Sequence, residues 1–390
     1  MTSTLRKCLA TAAAVTVLLA TDAAAAAALP AGSSPAARLR QDVSAIHALG
    51  ISGVQARVIA PDGRQTVATA GTADLRTGRP VPPDGYLRMA STSKTLIATV
   101  VLQLAAEGRL SLDDTVDRRL PGVVHGNGND GTRITLRQLL QHTGGISDAG
   151  LPGYSTPAEY YQQRHRAYSD EQLVARAMAV PPTEGWHYSN TGYLLLAMTV
   201  EKVTGRPAHQ EIEERILRPL GLDHTRWTGI SSTVPRPHAL AYQFFGPGAR
   251  VDVTDQIPVG HENLSWVTTT LDENRLLRAL LGGRLLPPGQ LAEMKRTVPV
   301  SAEAEQFWPG GRYGLGLVEQ PLSCGGTYWS HEGGDGGYIT LNGVTDDGGR
   351  SAVVSMSEAR GDTPEHILAQ EHAGSALIDH ALCAGSPGRR

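Results

Sequence analysis

Strand-like pattern stands at both ends of this 390-residue chain, and the long run between them is helical. Near the start, residues 53–60 and 65–71 flank Pro61-Asp62-Gly63, whose Asp-Gly step is a hairpin signal. From Tyr313 onward YGLGLVEQ, GTYWSHEGG, GYITLNGV and RSAVVSMS follow one another, the last two joined by Asp346-Asp347-Gly348-Gly349. This arrangement predicts one antiparallel sheet assembled from both chain ends, with a helical insertion carrying the middle. The class is therefore α+β, an α/β sandwich joined to an all-helical lobe.

Helical spacing supports the same division. Leu39, Val43, Ile46 and Leu49 share one side of a predicted helix over 37–49, ready to pack on the sheet. Leu96, Ile97, Val100, Val101 and Leu104 repeat likewise and stop at Gly108, and a second middle helix over 193–203 stops at Gly205. A last helix is capped by Asp362 or Thr363, has Pro364 in its first turn and ends near Cys383. The expected organisation is a leader over 1–28, a spacer over 29–36 and one single domain over 37–390. Its sheet lobe takes roughly 37–90 and 255–383, and its helical lobe roughly 91–254.

The leader reading rests on Arg6 and Lys7, an apolar run too short to anchor, and small residues suited to a cut near Ala26 to Ala28. It predicts a secreted, soluble protein without a transmembrane segment, and a monomer is expected. The net charge of −3, with both signs interspersed, offers no basic face for nucleic acid. A small-molecule or peptide substrate is expected instead. Of three Cys, Cys8 lies in the leader, which leaves Cys324 and Cys383 as an even pair in an oxidising compartment. They are predicted to form one disulfide tying the last helix to the strand region before His331.

The chemistry starts from a lysine. The chain has four Lys against thirty-one Arg, and one of the four is Lys94 in LRMASTSKTLIATVVLQLAAEG. Arg cannot release its proton near neutrality, whereas a desolvated Lys can, so a retained Lys is a candidate base. In a helix beginning near Ser91, positions 91 and 94 share one face, and the helix N-terminus favours developing negative charge beside Ser91. Farther on, His187-Tyr188-Ser189-Asn190 leads from a Pro/Gly loop into a helix, and Trp329-Ser330-His331-Glu332-Gly333-Gly334 ends a strand whose glycines admit a ligand closely. Alone, Tyr188 reads as a packed tyrosine and His331 as a satisfied histidine. Together with Ser91 and Lys94, and in this order, they carry a specific signal.

Ser91-Thr92-Ser93-Lys94, Tyr188-Ser189-Asn190 and His331-Glu332-Gly333 resemble the three motifs of the penicillin-recognising serine hydrolases, Ser-x-x-Lys, Tyr-x-Asn and a basic residue-x-Gly. RITLRQLLQHTGGI, YSNTGYLLLAMTVEKVTG and YGLGLVEQPLSCGG match as well, so the similarity runs from about Val43 to Cys383. The chain resembles the secreted D-alanyl-D-alanine carboxypeptidases related to class C β-lactamases, and the two Cys fit that group's disulfide. The resemblance implies a β-lactamase/penicillin-binding-protein transpeptidase-like fold and an acyl-enzyme mechanism. Ser91 would be the nucleophile, with Lys94 and Tyr188 sharing proton transfer. Asn190 would bond Lys94 and the substrate amide, and His331 would add positive character. The backbone N–H groups of Ser91 and Gly334 would form the oxyanion hole. No cofactor or metal is implied; the partners would be peptidoglycan stem peptides or other small acyl substrates, with β-lactams as inhibitors or substrates.

Two departures bear on the substrate. Glu332 stands where the carboxypeptidases carry Thr or Ser, with Gly334 where a second hydroxyl follows, and Val318 occupies the position of an Arg that holds the substrate's terminal carboxylate. With Gly333, these positions form a subsite expected to repel a free carboxylate, unless another Arg such as Arg312 takes over. Asn263 and Leu264 replace small residues, which narrows the cleft or repacks a helix start. The leading expectation is a DD-carboxypeptidase. The alternatives are a β-lactamase, esterase or D-amino-acid amidase or peptidase whose substrate lacks that carboxylate, or, in a different class, a wall-binding pseudoenzyme. The pseudoenzyme is disfavoured by the joint presence of Ser91, Lys94, Tyr188 and Asn190. No Gly-x-Ser-x-Gly elbow and no His-Glu-x-x-His is present, His366 and His372 face different sides of the last helix, and His142 reads as a structural histidine holding a loop.

Overall fold

A computed structural model describes residues 34–384, apart from 247, 249 and 261–264. The leader, most of the spacer, and Asn263 with Leu264 lie outside the described residues. Helix α1 (Pro35–Ala48) leads into β1 (Gly53–Ile59) and β2 (Gln65–Asp74), close to the predicted bounds. Middle helices α2 (Ser93–Ala106) and α3 (Asn190–Thr204) follow, then α4 (Thr270–Leu281). The returning strands are β3 (Val318–Pro321), β4 (Thr327–Ser330), β5 (Gly333–Asp335), β6 (Tyr338–Thr345) and β7 (Ser351–Met356), and α5 (Pro364–Cys383) closes the chain.

The sheet is joined as the sequence predicts. In a ten-stranded antiparallel sheet, β3, β4, β6, β7, β1 and β2 lie side by side, so β1 near the start pairs with β7 near the end, Val54 opposite Met356. Its alternating side chains separate two faces. Val54, Ala56, Val354 and Met356 meet Leu39, Val43 and Ile46 of α1 and Leu377 and Ile378 of α5, while α4 covers the opposite face. The helical part is organised around α2, in which every residue from Ser93 to Leu102 is buried. A helix that is apolar on nearly all sides belongs inside a core rather than on a surface. It packs against α3, whose end is set by Gly205 at φ 76°. Short strands, Tyr242–Phe244 and Arg250–Asp252 among them, interrupt this largely helical part. Cys324, in the turn between β3 and β4, is bonded to Cys383 at the end of α5, 59 residues away.

Candidate active site

Ser91 sits on a single tight turn, Ala90–Thr92, that feeds directly into α2. Ala90 has φ 48°, a left-handed conformation that costs an alanine about 1–3 kcal/mol and that turns the chain sharply out of the preceding strand. This turn is clamped from the sheet side. Thr92 Oγ1 donates to the His331 carbonyl at 2.8 Å, and Asn342 Nδ2 donates to the same oxygen at 2.6 Å. A Cβ added at Gly333 would stand 2.4 Å from the Met89 carbonyl oxygen. Only glycine lets β5 approach this closely, and the approach sets Gly334 beside Ser91.

Lys94 occupies the first turn of α2 and is 1 % exposed. Its Nζ lies 3.0 Å from Ser91 Oγ and 2.7 Å from Asn190 Oδ1. Burial lowers its pKa to about 7, against an opposing pull from the Asp148 carboxylate. At neutral pH a substantial fraction is the free amine, which is placed to accept a proton from Ser91 while donating to Asn190. Asn190 is placed by the start of α3, where Ser189 caps the helix by accepting from Gly192 N. Asp148 secures the same end, accepting from Asn190 N at 2.5 Å and Thr191 N at 3.0 Å. Sequence reasoning missed Asp148, an acid in a loop with no motif around it.

Tyr188 packs its ring at a tilt against His142, with centroids 4.3 Å apart, and lies beneath Lys94 Nζ at 4.9 Å from the ring centre. Its hydroxyl is shielded from solvent and makes no hydrogen bond of ordinary geometry. Burial pushes the phenol well above its usual pKa, although Ser91 nearby favours the ionised form. Tyr188 is therefore a phenol at neutral pH, able to donate a proton rather than accept one, which leaves Lys94 as the candidate base. His142 acts as the structural histidine expected: its carbonyl accepts from His187 N and its Nδ1 from Ser189 N, fixing the Tyr188 loop.

His331 differs from expectation. Because His142 Nδ1 accepts from a backbone N–H, its Nε2 carries the proton and donates to Tyr313 Oη at 3.0 Å. Tyr313 Oη then donates to His331 Nε2 at 2.9 Å, and His331 Nδ1 donates to the Glu332 carbonyl at 2.9 Å. This order leaves His331 neutral. Burial first, then the Lys94 charge, lowers its pKa to about 3. The positive character expected of His331 is thus corrected, since a cation there would lose its hydrogen bond from Tyr313 and its solvation together. Tyr313 was read only as a strand residue in YGLGLVEQ.

The subsite expectations divide. Glu332 and Gly333 line a cavity beside Ser91. Val318 does not: it is fully buried and packs with Trp308 and Tyr313, so the subsite role is corrected to a core one. An arginine side chain at that point would be buried among apolar groups. Arg312 is no substitute, because its guanidinium bonds the Thr297 hydroxyl and carbonyl.

Two cavities flank Ser91. The first, of about 490 Å³, contains Lys94, Asp148, Asn190 and Asp335 and reaches Arg164 and Arg166. The second, of about 420 Å³, lies on the Tyr188 and Glu332 side. Ser91 and Gly334 are the two residues that line both. These are the residues whose N–H groups the family resemblance implies for an oxyanion hole, and they stand where the two cavities meet.

A family model described as Beta-lactamase matches residues 38–376. A solved D-stereospecific amidohydrolase from Streptomyces sp. is 37% identical, with TM-score 0.75, over 87% of this chain and 98% of that one. Esterase EstB of Burkholderia gladioli is 30% identical over 65% of this chain and 72% of its own. Penicillin-binding protein 4* of Bacillus subtilis (strain 168) is 33% identical over 40% of this chain, and the match spans about a third of that protein, 34%.

Proposed function

From the premise that this chain belongs to the beta-lactamase family and is a serine hydrolase of that kind, we propose that it hydrolyses amides of D-amino acids or short D-peptides whose leaving group bears no free carboxylate. The observation that carries this reading is the second cavity. Its lining includes Glu303, Glu332 and Glu371 and no Arg or Lys, so a departing carboxylate would find no cation to pair with there and would oppose ionisation of the buried glutamic acids. The likeness to a D-stereospecific amidohydrolase, 98% of which is covered, supports the same substrate class.

In this mechanism Ser91 Oγ attacks the amide carbon and its proton passes to Lys94 Nζ. The resulting oxyanion is held by the N–H groups of Ser91 and Gly334. The C–N bond breaks as the leaving amine takes a proton from Tyr188 Oη, which Lys94 replenishes. Water then hydrolyses the acyl-enzyme, giving its proton to the same pair and returning Ser91.

Comparing D-phenylalaninamide, acyl-D-alanyl-D-alanine and its C-terminal amide tests the reading. Both amides should exceed the free acid in kcat/KM by at least about tenfold, as one unfavourable buried charge contact predicts. A preference for the free acid would return the DD-carboxypeptidase assignment to first place. Benzylpenicillin, which carries a carboxylate, should acylate Ser91 slowly.

A further inference from the structure

The second cavity contains more than its acidic balance. Trp186, Tyr188, Phe307 and Trp308 form its aromatic walls, and the Glu332 and Glu371 carboxyls come to it from the β4–β5 connection and from α5. Three of the molecule's buried polar atoms without hydrogen-bond partners line this one space: Trp186 Nε1, Tyr188 Oη and Glu371 Oε2. Tyr188 Oη is accounted for by the proton it delivers. Glu371 Oε2 is not, and a buried carboxylate oxygen with nothing bonded to it is expensive to keep. Burial and the neighbouring Glu332 hold Glu371 well above its usual pKa, and burial also raises Glu332. The pair shares a deficit that a positive charge would remove, and indole and phenyl faces attract cations as well.

Position defines which part of the substrate arrives there. Tyr188 is the donor to the leaving amine and lines this cavity, whereas Lys94 and Asn190 line the other. The departing half of the substrate therefore enters between the aromatic walls. We propose that this cavity is a leaving-group subsite for a cationic amine: the preferred substrate is an amide whose departing portion bears a second, protonated amino group on an apolar stem, held by Glu332 and Glu371. The inference rests on the amide-hydrolase reading for which half lies where, but the site itself is tested by binding alone.

The test titrates full-length Ser91→Ala protein with D-phenylalanyl-lysinamide and with D-phenylalanyl-norleucinamide, which lacks only the terminal ammonium group. The lysine peptide should bind about tenfold tighter or better, in the range of a shielded ion pair with cation–π contacts. In Ser91→Ala/Glu371→Gln the ratio of the two affinities should fall to about 2 or less, the residue of an uncharged contact. Glu332→Gln in the same background supplies a second reading should the first variant fold poorly. Equal affinities in the Ser91→Ala protein, or a tenfold preference that persists when Glu371 is neutralised, overturn the proposal. Turnover of the same peptides by the wild type separates the two claims: binding preference without hydrolysis sinks the amide-hydrolase reading and leaves the cation site standing.

Discussion

Two basic side chains are buried against Ser91, one from the helical side and one from the sheet side, and burial has opposite consequences for them. Lys94 starts from an ordinary pKa of 10.5 and is brought to about 7. His331 starts from 6.5 and is taken to about 3. The same loss of solvent moves an amine into the range where it exchanges protons and moves an imidazole out of it. Their partners reinforce the contrast. Lys94 faces oxygen acceptors from Ser91 and Asn190 and the Asp148 charge, which stabilise its protonated form, whereas His331 receives a hydrogen bond from Tyr313 that requires a lone pair. One side of the nucleophile is built to change charge, and the other to stay neutral.

The largest test of that contrast is Lys94→Arg, which keeps a cation beside Ser91 but removes the base. Acylation should fall by about 10³-fold or more, near the upper range of a lost general base. Residual acylation close to wild type at neutral pH would show that Lys94 does not take the Ser91 proton. Tyr188→Phe comes next. Loss of the proton donor should lower kcat by about 10²-fold with a smaller change in KM, and a leaving group that departs without protonation, such as p-nitrophenolate in an ester, should restore much of the rate.

The pH profile sharpens the comparison further. Because only neutral Lys94 accepts a proton, kcat/KM of the free enzyme should decline as pH falls below about 7, where burial and the opposing Asp148 charge together set that group, with neutral His142 and His331 contributing no limb of their own. His331→Asn should leave the limb in place. If the limb vanished in that variant, the roles of the two sides would have to be exchanged. Tyr313→Phe breaks the ladder between His142 and His331 and should cost about 1–3 kcal/mol of stability, read by denaturant unfolding, because it leaves a buried nitrogen without a donor. Its effect on the acid limb should be slight. Smallest for activity is Cys324→Ser with Cys383→Ser: the bond lies at the far ends of β3 and α5, so turnover should hold while stability drops by about 2–4 kcal/mol, the usual worth of closing such a loop.

Much of the fold was legible because it rests on local pattern. Helix α1, the β1–β2 hairpin, the stop at Gly205 and the Thr363 cap of α5 follow from residue spacing and turn chemistry within a few positions of each other. The Ser91–Lys94 contact belongs to the same category, since three residues along a helix bring side chains onto one face. Val318 shows where such reading ends. Its alignment with an arginine position was a statement about sequence, but its side chain is turned into a cluster with Trp308 and Tyr313, and which face of a strand meets the site depends on the partners it packs against.

By itself, then, the sequence picked out Ser91, Lys94, Tyr188 and Asn190 as a candidate group through short-range spacing and motif order, and a sheet drawing on both chain ends through local strand pattern. Tertiary structure alone decided the charge each group carries. His331 is neutral because Tyr313, itself accepting from His142, donates to it across long stretches of sequence, and Lys94 is poised because α2 is enclosed on all sides. Glu371, 39 positions after Glu332 in the chain, joins it at one cavity only when α5 folds back on the sheet. Protonation depends on desolvation and on neighbours through space, and neither is written in the separation of residues along a chain.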